Sequence, residues 1–170
     1  MCICLSDFLM GATVLHIETG NRALATNFFA RQGMQQTIPN TATTTIQFDV
    51  EDFDTGGYFD NITYVYQPLV AGVYQFVLQL AATPPSTTAG RIRAGIAKGT
   101  PGSGVTKGIS PYILLTNTQI PPVPPVVVNI EMNGTTDKVY AFVQSNAYSG
   151  TAMLVNNTPE ATYFTGSRLR

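Results

Sequence analysis

From Thr43 onward the chain repeats one pattern, short runs rich in Val, Ile, Tyr, Phe and Thr that are cut off by Gly, Pro, Asn and Asp. Runs of this kind at this spacing are antiparallel strands, and helix signals are nearly absent. The candidates are TTIQFDV (44–50), YFDNITYVYQP (58–68), GVYQFVLQLAA (72–82), RIRAGIAKG (91–99), PYILLTNT (111–118), VVVNIEMN (126–133), DKVYAFVQS (137–145), TAMLVNN (151–157) and TYFTGSRLR (162–170). Eight or nine such strands predict an all-β fold of two packed sheets, and Greek-key closure into an antiparallel jelly-roll sandwich manages the exposed edges. Asn133-Gly134 and Gly56-Gly57 supply turns with positive φ. KGTPGSGVTKG (98–108) is not expected to be ordinary strand, and PPVPP (121–125) reads as an extended loop entering one.

The apolar character of individual strand faces carries the next inference. In GVYQFVLQL, Tyr74, Phe76, Leu78 and Leu80 share one face, while Val73, Gln75, Val77 and Gln79 share the other. That second face is half apolar. In KVYAFVQ, Tyr140 and Phe142 lie on one side and Val139, Ala141 and Val143 on the other, so neither suits water. A sandwich strand in a monomer normally keeps one polar face. A strand apolar on both sides needs a second burial surface, most simply another copy of the chain. Phe48, Tyr74, Phe76, Leu78, Tyr140, Phe142 and Phe164 are assigned to the sandwich core, and Val73, Gln75, Val77, Val139, Ala141 and Val143 to the interface between copies.

Composition excludes several partners. Charged residues are 11% of the chain and the formal net charge is -1, which gives no electrostatic reason for binding nucleic acid or an anionic membrane. The two cysteines, Cys2 and Cys4, are too close for an ordinary intrachain bridge. The apolar N-terminus lacks a basic leading segment, is interrupted by Asp7, and is shorter than the roughly 20 apolar residues that cross a bilayer. It reads as an uncleaved arm over residues 1–27, attaching through Leu5, Phe8, Leu9, Val14, Leu15 and Ile17, with a domain over 28–170.

Chemistry-bearing motifs are sparse. Asp54-Thr55-Gly56 is the aspartic-protease triplet, but that mechanism needs two carboxylates sharing a proton and the chain has one copy, preceded by Glu51-Asp52-Phe53 rather than an apolar strand. A turn is the better reading. Asp49, Glu51, Asp52, Asp54 and Asp60 supply oxygen ligands without EF-hand spacing, so a solvated acidic loop is preferred to a calcium site. His16 is the single histidine, and no zinc spacing or phosphate-cradling motif is present. No catalytic residue, metal site or cofactor is expected.

The ordered set T-I-Q-F-D (45–49), F-D-T-G-G-Y (53–58), Q-P-L-V-A-G-V-Y-Q-F (67–76) and T-Y-F-T-G-S-R-L (162–169), with F-F-A-R (28–31) as an opening strand, resembles the globular head of the complement first-component q subunit and its tumour necrosis factor relatives. The resemblance runs from Phe28 to Arg170 and implies a jelly roll that packs as a homotrimer about a threefold axis. The domain lacks a Gly-X-Y stalk and contains no cysteine, departures that fit versions of the fold resembling bacteriophage virion parts. The expectation is therefore a non-enzymatic virion protein made in the host cytoplasm. It would decorate a capsid through its arm on the major capsid protein or another virion protein, or serve as a tail head that binds a host surface glycan through loops 83–90 and 98–110.

Overall fold

A computed structural model describes residues 26–83, 90–115, 122–147, 153–155 and 161–170. Among them every regular element is a strand: β1 (Asn27–Arg31), β2 (Gln36–Ile38), β3 (Thr43–Thr45), β4 (Val50–Asp54), β5 (Phe59–Asp60), β6 (Val65–Tyr66), β7 (Gly72–Thr83), β8 (Gly90–Lys98), β9 (Val105–Ile109), β10 (Ile113–Leu115), β11 (Pro122–Met132), β12 (Val139–Ala147), β13 (Met153–Val155) and β14 (Tyr163–Arg168). All pairings among them are antiparallel. Two sheets result. In the first, β11, β7, β14, β1 and β4 lie side by side, and β13 followed by β2 extends it along the far end of β7. In the second, β12 and β8 form the centre, with β3 and β6 beyond β12 and with β9 and β10 sharing the other side of β8.

Several segments differ from the sequence reading: the run 44–50 divides between β3 and the start of β4, and Val50–Asp54 is strand where an acidic loop was expected. The run 58–68 is not one strand, because the Asp60 carboxylate accepts the N–H groups of Ile62 and Thr63 and the Thr63 hydroxyl, which folds a turn between β5 and β6. Within 98–108 only 99–104 is a turn, with Gly99 and Gly102 at φ of 124° and 86°; Val105–Ile109 pairs with β8. The proline run is not a loop either. Strand β11 begins at Pro122, and a register shift between Val123 and Val126 absorbs the prolines, which cannot donate to the ladder.

The core between the sheets is aromatic. Phe28 stacks on Tyr66 at 4.5 Å and on Phe59 at 5.0 Å, and meets Phe164 edge-on at 5.1 Å. Phe48, Tyr74, Phe76 and Leu78 are buried in the same cluster. Gly166 makes room for these rings, since a Cβ there would sit 2.7 Å from both Phe28 and Phe76. The Tyr74 hydroxyl is satisfied within the fold, receiving a hydrogen bond from Thr26 and donating to the Val70 carbonyl.

Strand β12 corrects the sequence assignment. Val139, Ala141 and Val143 are 0–1% exposed and point into the sandwich, so they are core and cannot meet another copy of the chain. Tyr140 and Phe142 lie instead on the outer face of the second sheet, clustered with Val65 and Ala97. The physical reason is on the neighbouring strand. Gly95 pairs with Phe142 and leaves a space that the ring fills, with Phe142 Cζ 2.3 Å from where a Cβ would stand. The outward rings are thus covered locally, without a partner chain.

The turn joining β11 to β12 is held by Asn133, whose side-chain oxygen accepts the N–H groups of Thr135, Thr136 and Asp137. Gly134 within it has φ of 71°, and an added Cβ would approach the Ala71 nitrogen to 2.3 Å. Gly134→Ala is expected to lose about 1–2 kcal/mol from the left-handed backbone alone, with the clash adding to it; urea denaturation measures the sum.

The same turn makes the fold acid-sensitive. Burial alone would raise the Asp137 carboxyl, but the Lys98 ammonium at 2.7 Å and the Asn133 N–H outweigh it and hold it below its ordinary value. Asp60 is lowered as well, first by the Thr63 hydroxyl and then by backbone N–H groups. Carboxyls depressed on folding stabilise above the unfolded-chain value of about 3.9 and lose that contribution as pH falls through the folded value. The urea midpoint should therefore be flat between about pH 5 and 7 and fall below about pH 4. Asp137→Asn should make that fall shallower.

Candidate functional site

The outward face of the first sheet carries a row that is apolar on four of its five strands, with Thr165 at its centre donating its hydroxyl to the Phe28 carbonyl. Strand alternation sends Phe28 and Ala30 inward, so Phe29 must face out. Register then aligns Phe53, Phe29, Thr165, Val77 and Val127 across β4, β1, β14, β7 and β11. At about 4.8 Å between strands the row is about 19 Å long. Phe53 and Val127, at its two ends, are 47% and 58% exposed. Phe29 stacks on Phe53 at 6.1 Å and on Tyr163 at 5.2 Å, which fixes the aromatic half.

Polar rows flank it on both sides. Asn27, Ser167, Gln75 and Asn129 are aligned on one side, and Arg31, Tyr163 and Gln79 on the other. Gln79 donates to the Val123 carbonyl at 2.9 Å and Arg31 pairs with Asp52 at 3.0 Å, so the flanks are ordered. An apolar strip inside a polar rim is the anatomy of a protein interface.

Of the six residues assigned to an interface from sequence, Val73, Gln75 and Val77 lie on this half-buried outward face, and Val139, Ala141 and Val143 do not. Phe29, Phe53, Val127 and Tyr163 were not singled out. The signal was present in F-F at 28–29, because adjacent strand residues point to opposite faces and only one phenylalanine can be core. The arm residues Leu5, Phe8, Leu9, Val14, Leu15 and Ile17 lie outside the described residues, as does most of loop 83–90.

The acidic stretch is a set of separate structural contacts. Asp54 accepts the Gly56 N–H at 3.0 Å and the Phe59 N–H at 2.6 Å, one on each carboxylate oxygen. Thr55 clasps β1 through Asn27, whose N–H donates to its hydroxyl at 3.0 Å. Asp49 accepts the Gly33 N–H, Asp52 pairs with Arg31, and Asp60 caps its own turn. Among the described residues no three His, Cys, Asp or Glu side chains gather as a metal site. Asp54→Ala should cost about 1–3 kcal/mol in urea denaturation, as unsatisfied buried donors do. A variant of unchanged stability that had lost a peptidase activity would reverse this assignment.

The outward face of the second sheet holds a different feature, a polar groove along β12 floored by Tyr140 and Phe142 and walled by Thr43, Thr45, Thr106 and Gln144. Its volume is about 250 Å³.

No family model matches the chain, and no curated protein matches it in sequence. Solved structures do match in fold. Murine APRIL superposes with a TM-score of 0.62 at 10% identity, covering 85% of this chain and 99% of that one. The globular domain of zebrafish complement 1qA gives 0.56 at 15% identity, with 85% and 98% covered. Eiger TNF from S. frugiperda gives 0.51 at 8% identity, with 86% and 92% covered. The architecture built above is therefore the antiparallel jelly roll of the tumour necrosis factor and complement q structures.

Proposed function

We propose that this chain is a non-enzymatic assembly module, a homotrimer closed through the outward face of the first sheet and carried on a phage virion by its N-terminal arm, in the manner of a capsid decoration protein. The observation that carries the reading is the apolar row from Phe53 to Val127 between polar flanks. A row apolar on four of five strands loses free energy in water at about 25 cal/mol per Å² of apolar surface exposed, and three copies remove it together. A stable interface buries about 1,200–2,000 Å² in total, so closing this face on neighbouring copies adds stability to a sandwich that folds by itself. The low charge and the Thr/Asn polarity of the chain suit a surface that meets other protein rather than nucleic acid.

Solution mass tests the assembly. A chain of 18.3 kDa should sediment at about 55 kDa, and a chain started at Thr26 at three times its own smaller mass; a stable monomer of either form overturns the trimer. Quantitative mass spectrometry of purified particles tests the location. Many copies per capsid support decoration, and absence from particles overturns the virion role. A few copies at the tail tip would favour the second reading, a receptor-binding head, for which the groove on the second sheet is the supporting observation.

A further inference from the structure

We propose that the outward face of the second sheet is a saccharide-binding groove for a neutral sugar unit of two rings. The proposal concerns the opposite side of the sandwich from the assembly face, and it deepens the receptor-binding reading without depending on trimer formation.

The groove is built and held rigid. Phe142 lies over Gly95 as its floor, and Gly104, in the turn after β8, presses on Tyr140 so closely that a Cβ would be 2.8 Å from Cε1 and 3.1 Å from the hydroxyl oxygen. Tyr140 is 5% exposed, so its ring is held in place at the edge of the hollow. Tyr140 lines the hollow of about 250 Å³, where its hydroxyl is placed to exchange a hydrogen bond with a ligand hydroxyl.

A second hollow of about 230 Å³ adjoins the first, lined in part by Arg93, Tyr112 and Asn146. The two share Thr43 and Gln144. Gln144 donates to the Thr43 hydroxyl at 2.7 Å and accepts from Arg93 at 2.6 Å, and Arg93 in turn lies 4.3 Å over the Tyr112 ring. This chain of contacts makes a fixed saddle between two compartments. Each is somewhat below the roughly 300–1,000 Å³ of drug-sized sites, a size that suits one pyranose ring.

The lining identifies the ligand class. Hydroxyls and amides predominate in both hollows, neither contains a carboxylate, and Arg93 is the one charged side chain lining them. An apolar ligand would leave those polar groups unpaired. A hard metal ion would find no carboxylate, and a polyanion would find one guanidinium already engaged. A neutral polyhydroxylated molecule matches the set, and two joined hollows match two joined rings.

The test is NMR titration of the isotope-labelled full chain with chitobiose, maltose, lactose and, as an acidic control, digalacturonate. At least one neutral disaccharide should shift the Tyr140, Gln144 and Tyr112 signals. Tyr140→Phe removes only the hydroxyl and should weaken that binding about tenfold, the worth of one buried hydrogen bond, with unchanged melting temperature. Thr43→Val should weaken it too by loosening the saddle. A monomerised chain should bind as well as the trimer, which separates failure of the groove from failure of the assembly reading. The proposal is overturned by no shifts at these residues up to about 10 mM sugar, by binding confined to digalacturonate, or by affinity that neither substitution changes.

Discussion

Val77→Arg is expected to yield a folded monomer. Val77 is the inner member of the apolar row on β7, paired with Thr165 on one side and Val127 on the other, and its side chain points away from the core formed by Phe76 and Leu78. A long cation is accommodated there in a single chain, where it reaches water. In a trimer closed through this face three guanidinium groups are buried without partners, each costing about 3–5 kcal/mol. At 1.4 kcal/mol per decade, each such loss weakens association by about two to three decades. Sedimentation should give about 18 kDa in place of about 55 kDa with the same β-sheet circular dichroism. Should the variant remain trimeric, the first sheet is not the interface. Phe29→Arg, at the aromatic half of the row, is expected to act alike and guards against a local accident at Val77.

Phe28→Ala is the largest expected loss of stability. The ring is fully buried and touches Phe59, Tyr66, Phe76 and Phe164, so it joins residues of five strands. Truncating a buried phenylalanine costs about 3–5 kcal/mol through lost transfer energy and the residual cavity, against a total of about 5–15 kcal/mol for a domain. Partial collapse is hindered because the adjoining wall is Gly166 backbone. Urea denaturation on the Val77→Arg background isolates the effect from assembly. A loss under about 1 kcal/mol would mean that the cavity refills, contrary to the packing described. Since Phe29 follows directly, loosening β1 should also weaken association in the unaltered background, coupling the two measurements.

These contrasts show what the sequence made legible. On β7 the glutamines at 75 and 79 mark the outward face, and the structure has Tyr74, Phe76 and Leu78 inside. Strand β12 has no such marker before Gln144, so alternation alone could not separate inside from outside, and size was a false guide. The deciding residue is Gly95 on another strand, a tertiary feature invisible to any period-2 pattern. The prolines of β11 misled for a related reason: a missing N–H is tolerated where a bulge removes the need for it. The row proposed for assembly was half visible through Val77. Its aromatic half required the register of β4, β1 and β14, and the pairing of β1 with β14 joins residues more than a hundred positions apart. The groove had no sequence signature, since its walls come from three strands and a turn.

The pairing of β1 with β14 has a practical consequence. Asn27 sits opposite Ser167, and the Arg170 carbonyl accepts the Val73 N–H where β7 begins. Both tails of the domain therefore leave from one pole. A reporter or affinity tag fused after Arg170 would stand beside the start of β1, whereas cargo inserted where β7 stops at Thr83, about 40 Å along the twelve-residue strand, would ride on the opposite pole.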